Sequence, residues 1–282
     1  MHPNNRHQGR YNLDLLSQKS PQLQAFLVEG PQGMTVDFSR PEGVKALNKA
    51  ILECDYGMTD WNLPDDFLCP PVPGRADYIH HLADLPGLNK KSANVLDIGV
   101  GANAIYPIIG IHEYHWSFVG ADIEPKALSA AQKLIENNPL LQGKLELRLQ
   151  ENPAQIFKGI IKKNEKFDLT LCNPPFHASA EEALEGTNRK LKNLGRGANG
   201  SLNFGGQSQE LWTPGGEKRF IRSMIFESVE FKDQVKWFSS LVSKGEYLQE
   251  FERIAEKQGA RFMIVPMEQG QKRARLIAWS FT

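Results

Sequence analysis

The chain has 282 residues, 40% of them hydrophobic and 23% charged, which suits a soluble globular protein with one large domain or one domain plus an accessory part. Its 33 Lys and Arg balance 33 Asp and Glu, so net charge says nothing about a nucleic-acid partner and local charge has to be read instead. The cysteines, Cys54, Cys69 and Cys172, are odd in number and form no C-x-x-C pair, which argues against a disulfide framework and a cysteine zinc site and fits a reducing compartment.

In chain order, residues 1–40 are polar, with scattered Pro and Gly, and are expected to form an arm with little regular structure. "MHPNNRHQGRYNLD" lacks the apolar core of a signal peptide, and the most apolar stretch, "AIYPIIGI", is too short to span a bilayer, so the cytoplasm is the expected location. "PEGVKALNKAILECDYG" carries Val44, Leu47 and Ile51 at helical spacing behind a proline. "LPDDFLCPPVPGR" holds four prolines and reads as a loop, and "ADYIHHLADL" as a short helix. From residue 92 the pattern changes. Strands "ANVLDIG", "WSFVGADI", "KLELRL", "KFDLTLC" and "QVKWFSSLV" alternate with helices "IYPIIGIHEY", "PKALSAAQKLIENN", "PAQIFKGIIKK" and "EKRFIRSMIFESVEF". After the helix "EYLQEFERIAEK", the strands "ARFMIVPM" and "ARLIAWSF" are joined by a short link and must form a hairpin. The expectation is an α/β fold: a mostly parallel sheet with at least one antiparallel strand and helices on both faces. Residues 1–90 would be an N-terminal extension and residues 91–282 the α/β domain.

"VLDIGVGAN" puts Asp97, Gly99, Gly101 and Asn103 on the first strand–helix turn, where glycines let backbone approach a ligand closely. The next strand ends in Asp122, an acid placed to bond ribose hydroxyls. Such a loop also occurs as a plain tight turn, and its spacing resembles a dinucleotide site. The pattern, however, is D-x-G-x-G, with Ala104 where a third glycine would fall. An acid within the turn repels a pyrophosphate and suits a ligand with an amino group and no phosphates, which favours S-adenosylmethionine over NAD.

"LCNPPFHAS" follows the fourth of these strands. Proline cannot donate to a sheet ladder, so the strand stops at Asn173, and the prolines stiffen the turn. The exocyclic amino group of adenine is a poor nucleophile because its lone pair is delocalised into the ring. The Asn173 side-chain oxygen and the Pro174 main-chain oxygen offer acceptors for its two N–H bonds, which would pyramidalise the nitrogen without a strong base. Phe176 can stack on an extruded base. Alone, N-P-P is an ordinary strand-ending turn; it gains meaning from following the glycine loop and Asp122 in this order.

These segments, with "PPVPGRADYIHHL", "LNFGGQSQELW", "GGE", "WFSSLVSKGE" and "QGQKRARLIAWSF", resemble the bacterial 23S ribosomal RNA adenine-N6 methyltransferase family RlmF over nearly the whole chain. A eukaryotic relative that methylates a spliceosomal small nuclear RNA shares the outline. The resemblance implies a Rossmann-like class I methyltransferase fold with a seven-stranded, mostly parallel sheet, one antiparallel strand and an N-terminal extension. It implies an S-adenosylmethionine-dependent enzyme acting on 23S rRNA; the cysteine and histidine spacings lead to the expectation of no metal. It assigns Asp97, Gly99, Gly101, Asn103, Asp122 and Asn173 to the cofactor, and Asn173, Pro174, Pro175 and Phe176 to catalysis. It also gives Arg75 the methionine carboxylate, a suitable partner for a guanidinium fork.

RNA requires local positive charge. Arg189, Lys190, Lys192 and Arg196 lie in an acid-free stretch after the N-P-P-F turn. Arg6 and Arg10 lie in the arm with Tyr11 as a candidate stacking group, and Lys272, Arg273 and Arg275 lie near the end. Each cluster is equally compatible with a solvated face. His80 and His81 have no metal-ligand spacing, and Trp237 and Trp279 are expected in the core. Two other functions remain open: methylation of a protein glutamine amide, which also presents two N–H bonds, and a catalytically silent RNA-binding module.

Overall fold

A computed structural model describes residues 1–179, 181–182, 212–269 and 272–282. Arg189, Lys190, Lys192 and Arg196 lie outside the described residues, as do the side chains of Lys272 and Arg273. Seven strands form one sheet in the order β5-β4-β3-β6-β7-β9-β8, with β3 Asn94–Ile98, β4 Ser117–Asp122, β5 Leu145–Leu149, β6 Phe167–Cys172, β7 Val235–Val242, β8 Arg261–Gln269 and β9 Lys272–Ser280. β3 to β7 are parallel, and β9 runs antiparallel to both of its neighbours. The seven strands and the single antiparallel strand match the sequence expectation.

Alternating burial on the strands builds two cores. Val95, Leu169, Trp237, Leu276 and Ala278 pack with helices α2 Pro41–Asp55, α3 Val72–Ala83, α4 Ile105–Tyr114 and α5 Pro125–Asn137. Leu96, Phe238, Ile277 and Trp279 pack on the other face with α6 Gly216–Ser228 and α7 Leu248–Lys257. Neighbouring strand residues such as Ile277 and Ala278 therefore face opposite layers, as the two-residue period of a strand requires. β3 connects outward to β4 and β5, and β6 lies on the other side of β3. The strand order thus reverses between β3 and β6, where ligands bind in open α/β sheets.

Three expectations need correction. The arm is ordered. Helix α1, Leu13–Lys19, is capped by Asn12, whose side chain accepts from Leu15 N; a 3-10 turn follows, then a hairpin of β1 Leu27–Gly30 and β2 Gly33–Val36. The segment at 153–163 is a series of turns, not a helix. The Glu227 carboxylate accepts from the backbone N–H groups of Ile156, Phe157 and Lys158, which a helix would direct to preceding carbonyls, and Gly159 sits at φ +86°. Finally, α3 begins at Val72, so Arg75 is helical. Pro71 and Pro73 fall at positions whose missing N–H groups a first turn does not need.

The arm docks through histidines and their hydrogen-bond partners. The His2 ring stacks on His80 at 5.4 Å and meets His81 edge-on at 4.9 Å. Asp77 accepts from His2 N and Asn5 Nδ2, Asp84 lies 2.9 Å from His2 Nε2, and Arg6 pairs with Glu113 at 2.6 Å. His7 lies 2.6 Å from the Tyr56 hydroxyl and 3.1 Å from that of Tyr11. Burial, then the Arg6 charge, pushes His7 down to about 4, and burial also lowers His80 and His81. A lowered histidine contributes stability above its unfolded pKa that is lost as the pH falls towards its folded one. Acidification from about pH 6.5 to about 4 is therefore expected to release the arm before the sheet. Hydrogen exchange, corrected for intrinsic rates, checks this: residues 2–12 should lose protection in that window while β3 and β6 keep theirs. Constant protection of residues 2–12 would remove the histidines from the docking.

Candidate active site

Two turns meet at the β3/β6 switch point. β3 and β6 pair with Asp97 opposite Leu171 and Ile98 opposite Cys172, so the segments after Ile98 and Cys172 emerge side by side. In the first turn, Gly99 and Gly101 have φ of +78° and +63°, a conformation that disfavours side chains. A Cβ built on Gly99 meets nothing within 4 Å, so this backbone borders open space. The loop is held from below. Gly99 N and Val100 N donate to Ala121 O, and Gly101 N donates to the Asp122 carboxylate at 2.9 Å. A Cβ on Gly120 would come within 2.8 Å of Val100, so β4 needs glycine where the loop crosses it.

Asp97 is fully buried, and neither carboxylate oxygen has a partner. Burial, then the nearby Asp122 charge, pushes its carboxyl well above the usual range, and Arg75 opposes the shift. A buried, unpartnered acid costs stability in the free protein, so its place at a glycine cradle fits a cationic ligand group. Asp122 accepts from Gly101 N and Glu124 N, and burial is the main cause of its raised pKa. Ile123 and Leu149, 42% and 43% exposed, sit at the same edge beyond Asp122 and offer apolar cover for a flat ring. Ile123 directly follows β4 and Leu149 is the last residue of β5, opposite Asp122, and no local sequence pattern marks either.

Arg75 projects from the first turn of α3 and donates to the Tyr106 hydroxyl at 2.8 Å, its guanidinium 5.5 Å from the centre of that ring. Among the described residues no carboxylate forms an ion pair with it, although its charge acts on the buried Asp97. Asn103 is engaged inside the protein: its Oδ1 accepts from the backbone N–H of Ile105, the first residue of α4, and its Nδ2 reaches Leu68 O at 3.5 Å.

In the second turn, Pro174 is buried and Asn173, Pro175, Phe176 and His177 are half-buried. Asn173 Oδ1 is inaccessible and has no partner, the arrangement expected of an acceptor kept for a substrate. Directly after the turn, His177 bridges to Trp212 and Thr213 N donates to His177 O at 3.0 Å. A Cβ on Gly216 would lie 3.2 Å from Ala178 N, so glycine lets the two passes close up. The described segments that flank residues 183–211 in sequence thus meet beside the N-P-P-F turn. Trp212, whose Nε1 is buried and unpartnered, is a second aromatic at this place. Nothing in its own local sequence pattern singled it out. In the arm, Arg6 is held by Glu113 and Asp55 O, Arg10 by Gln32, and the Tyr11 hydroxyl by His7, so none of the three extends freely towards a ligand.

The RNA methyltransferase family model Methyltransf_10 matches residues 1–282. The chain belongs to this family. A Klebsiella pneumoniae (strain 342) relative, "Ribosomal RNA large subunit methyltransferase F", is 54% identical over 287 residues, covering 100% of this chain and 94% of its own. The protein of the same description from Salmonella agona (strain SL483) is also 54% identical, with 93% of its length covered. Among solved structures, the hMettl16 catalytic domain in complex with the MAT2A 3'UTR hairpin 1 has a TM-score of 0.85 at 28% identity, covering 100% of this chain and 96% of that one. The N-terminal domain of human METTL16 in complex with SAH has a TM-score of 0.79 at 24% identity, covering 100% and 99%, and shows the shared fold. The chain is an S-adenosylmethionine-dependent RNA methyltransferase with a Rossmann-like class I fold. Among the described residues, no helix is long and apolar enough to cross a membrane, and no group of His, Cys, Asp and Glu could hold a metal ion.

Proposed function

We propose that this family member methylates the N6 amino group of one adenine in 23S ribosomal RNA in the cytoplasm. The observation that carries the reading is a pair of unpartnered buried acceptors, the Asp97 carboxylate and Asn173 Oδ1, on adjacent strand ends beside an open glycine cradle. The 54% identical relatives described as large-subunit ribosomal RNA methyltransferases support the choice of RNA.

S-adenosylmethionine, when bound, supplies a methyl group made electrophilic by a cationic sulfur. Arg75 would hold its carboxylate and Asp97 its amino group; Gly99 and Gly101 would line its path and Asp122 its ribose. Ile123 and Leu149 would cover its base. Asn173 Oδ1 and the Pro174 carbonyl accept the two N–H bonds of the adenine amino group and turn its lone pair out of conjugation. Pro175 stiffens the turn and Phe176 stacks on the extruded ring. The methylated nitrogen then releases a proton to solvent. Catalysis lies in position and preorganised acceptors, with no strong base required. The stretch with Arg189, Lys190, Lys192 and Arg196 would hold phosphates around the target. Arg6 and Arg10 would have to leave their protein partners to do the same, which makes the arm the weaker RNA contact. In this reading, residues 1–90 lend Arg75 to a methyltransferase domain of residues 91–282.

Mass-spectrometric mapping of rRNA from cells with and without the gene tests the proposal. One N6-methyladenine in 23S rRNA should vanish with the gene and return when purified enzyme and cofactor are added. Methyl transfer to a glutamine peptide, with unmodified RNA, would instead favour a protein substrate.

A further inference from the structure

Above its lower half, the β6–β7 ladder gives way to side chains. The strands pair at Phe167 with Val235 and at Leu169 with Trp237. One step higher, Ser239 Oγ on β7 donates to Thr170 O on β6 at 2.8 Å. The Tyr78 hydroxyl, from α3, lies 2.9 Å from Ser239 Oγ and 3.5 Å from Cys172 O. The Ser239 proton is committed to Thr170, so Tyr78 is the donor in its own contacts. Two hydroxyl protons thus serve three acceptors on or beside β6, the strand that leads into Asn173. All four residues, Tyr78, Thr170, Cys172 and Ser239, are buried, so a lost donor is not readily replaced from bulk solvent. Burial also holds the phenol well above its ordinary pKa, so it remains a donor.

Tyr78 is itself fixed. Its ring meets Tyr106 edge-on, with centroids 5.5 Å apart. Tyr106 in turn accepts from Arg75, which lies one helical turn before Tyr78 on the same face of α3. One helix face therefore reaches both the proposed carboxylate site, through Arg75, and the peptide before the N-P-P-F turn, through Tyr78.

We propose that Tyr78, acting with Ser239, is a positioning residue that sets the height and angle of the Asn173–Phe176 turn for methyl transfer. The proposal rests on the reading of that turn as catalytic. Tyr78→Phe keeps the buried ring and removes only the hydroxyl; Ser239→Ala removes the other proton. Misplacement of reacting groups by a fraction of an ångström to an ångström slows reactions roughly tenfold to a hundredfold. Each variant should therefore lower the single-turnover methylation rate of a 23S RNA fragment about tenfold, with cofactor and RNA dissociation constants within about twofold of wild type. The double variant should lose little more than the worse single one, because the two hydroxyls form one chain.

Asn173→Ala is measured in parallel. If it is nearly inactive while both hydroxyl variants keep wild-type rates, the positioning role is overturned and the catalytic turn stands. If Asn173→Ala keeps its rate, the turn is not catalytic and the proposal fails with it. If rate, cofactor affinity and melting temperature fall together in both hydroxyl variants, the hydroxyls only hold up the fold, which also overturns the proposal.

Discussion

Asn173→Ala is expected to lower the single-turnover rate by about 10² to 10³ while leaving cofactor and RNA binding within a few-fold of wild type. The loss falls on the rate because Asn173 Oδ1 interacts most strongly as the amino nitrogen pyramidalises and positive charge grows on its hydrogens. In the free enzyme this oxygen is buried with no partner, so it is an acceptor already desolvated. Its removal should also leave the fold unharmed, since the oxygen has no partner to lose. Phe176→Ala should differ. Stacking also holds the extruded base, so KM should rise along with the fall in kcat. Single-turnover kinetics with equilibrium binding separates the two. A near wild-type rate for Asn173→Ala would reduce residues 173–176 to a stiff turn.

The sheet was legible because its strands carry short apolar runs or, in "KLELRL", a two-residue alternation, and because "DIGVG" and "NPPF" end strands that prove to be neighbours. Helix and turn at 153–163 could not be distinguished locally. The apolar spacing is helical, and Glu227, which captures the backbone N–H groups there, lies some 70 residues away in sequence. The arm misled for a similar reason. His2, Asn5 and His7 are polar, so residues 1–12 resemble a solvated tail, yet Asp77, Asp84 and Tyr56 satisfy them in a buried contact. Polarity alone cannot separate a solvated group from a paired one. Asn103 shows how much a side chain's partners escape a local reading: in the glycine loop its side chain turns to Ile105 N and Leu68 O. Tyr78 and Ser239 were invisible, because a lone Tyr in a helix and a lone Ser in a strand carry no pattern until β6 and β7 are seen to separate above Leu169 and Trp237.

Asp97→Asn is expected to bind S-adenosylmethionine at least about 100-fold more weakly, and yet to melt no lower than the native chain when both are ligand-free. Withdrawing one member of a buried charge pair typically costs about 3–5 kcal/mol, and every 1.4 kcal/mol is about a factor of ten in affinity. The free protein has the opposite balance. Asp97 has no hydrogen-bond partner, and burial with the neighbouring Asp122 charge raises its pKa well above the ordinary value. A carboxyl with a raised folded pKa favours the native state in acid and penalises it as the pH rises from the unfolded pKa towards the folded one. Removing the ionisable group therefore spares the ligand-free variant a penalty that grows with pH. The melting temperature of Asp97→Asn should meet that of wild type in acid and gain on it towards neutral and alkaline pH. Saturating cofactor should reverse the order, because ligand binding stabilises only the chain that binds it tightly. Titration calorimetry and thermal melts across pH, with and without cofactor, measure all of this. Undiminished cofactor affinity in Asp97→Asn would show that the buried acid is not what holds the ligand.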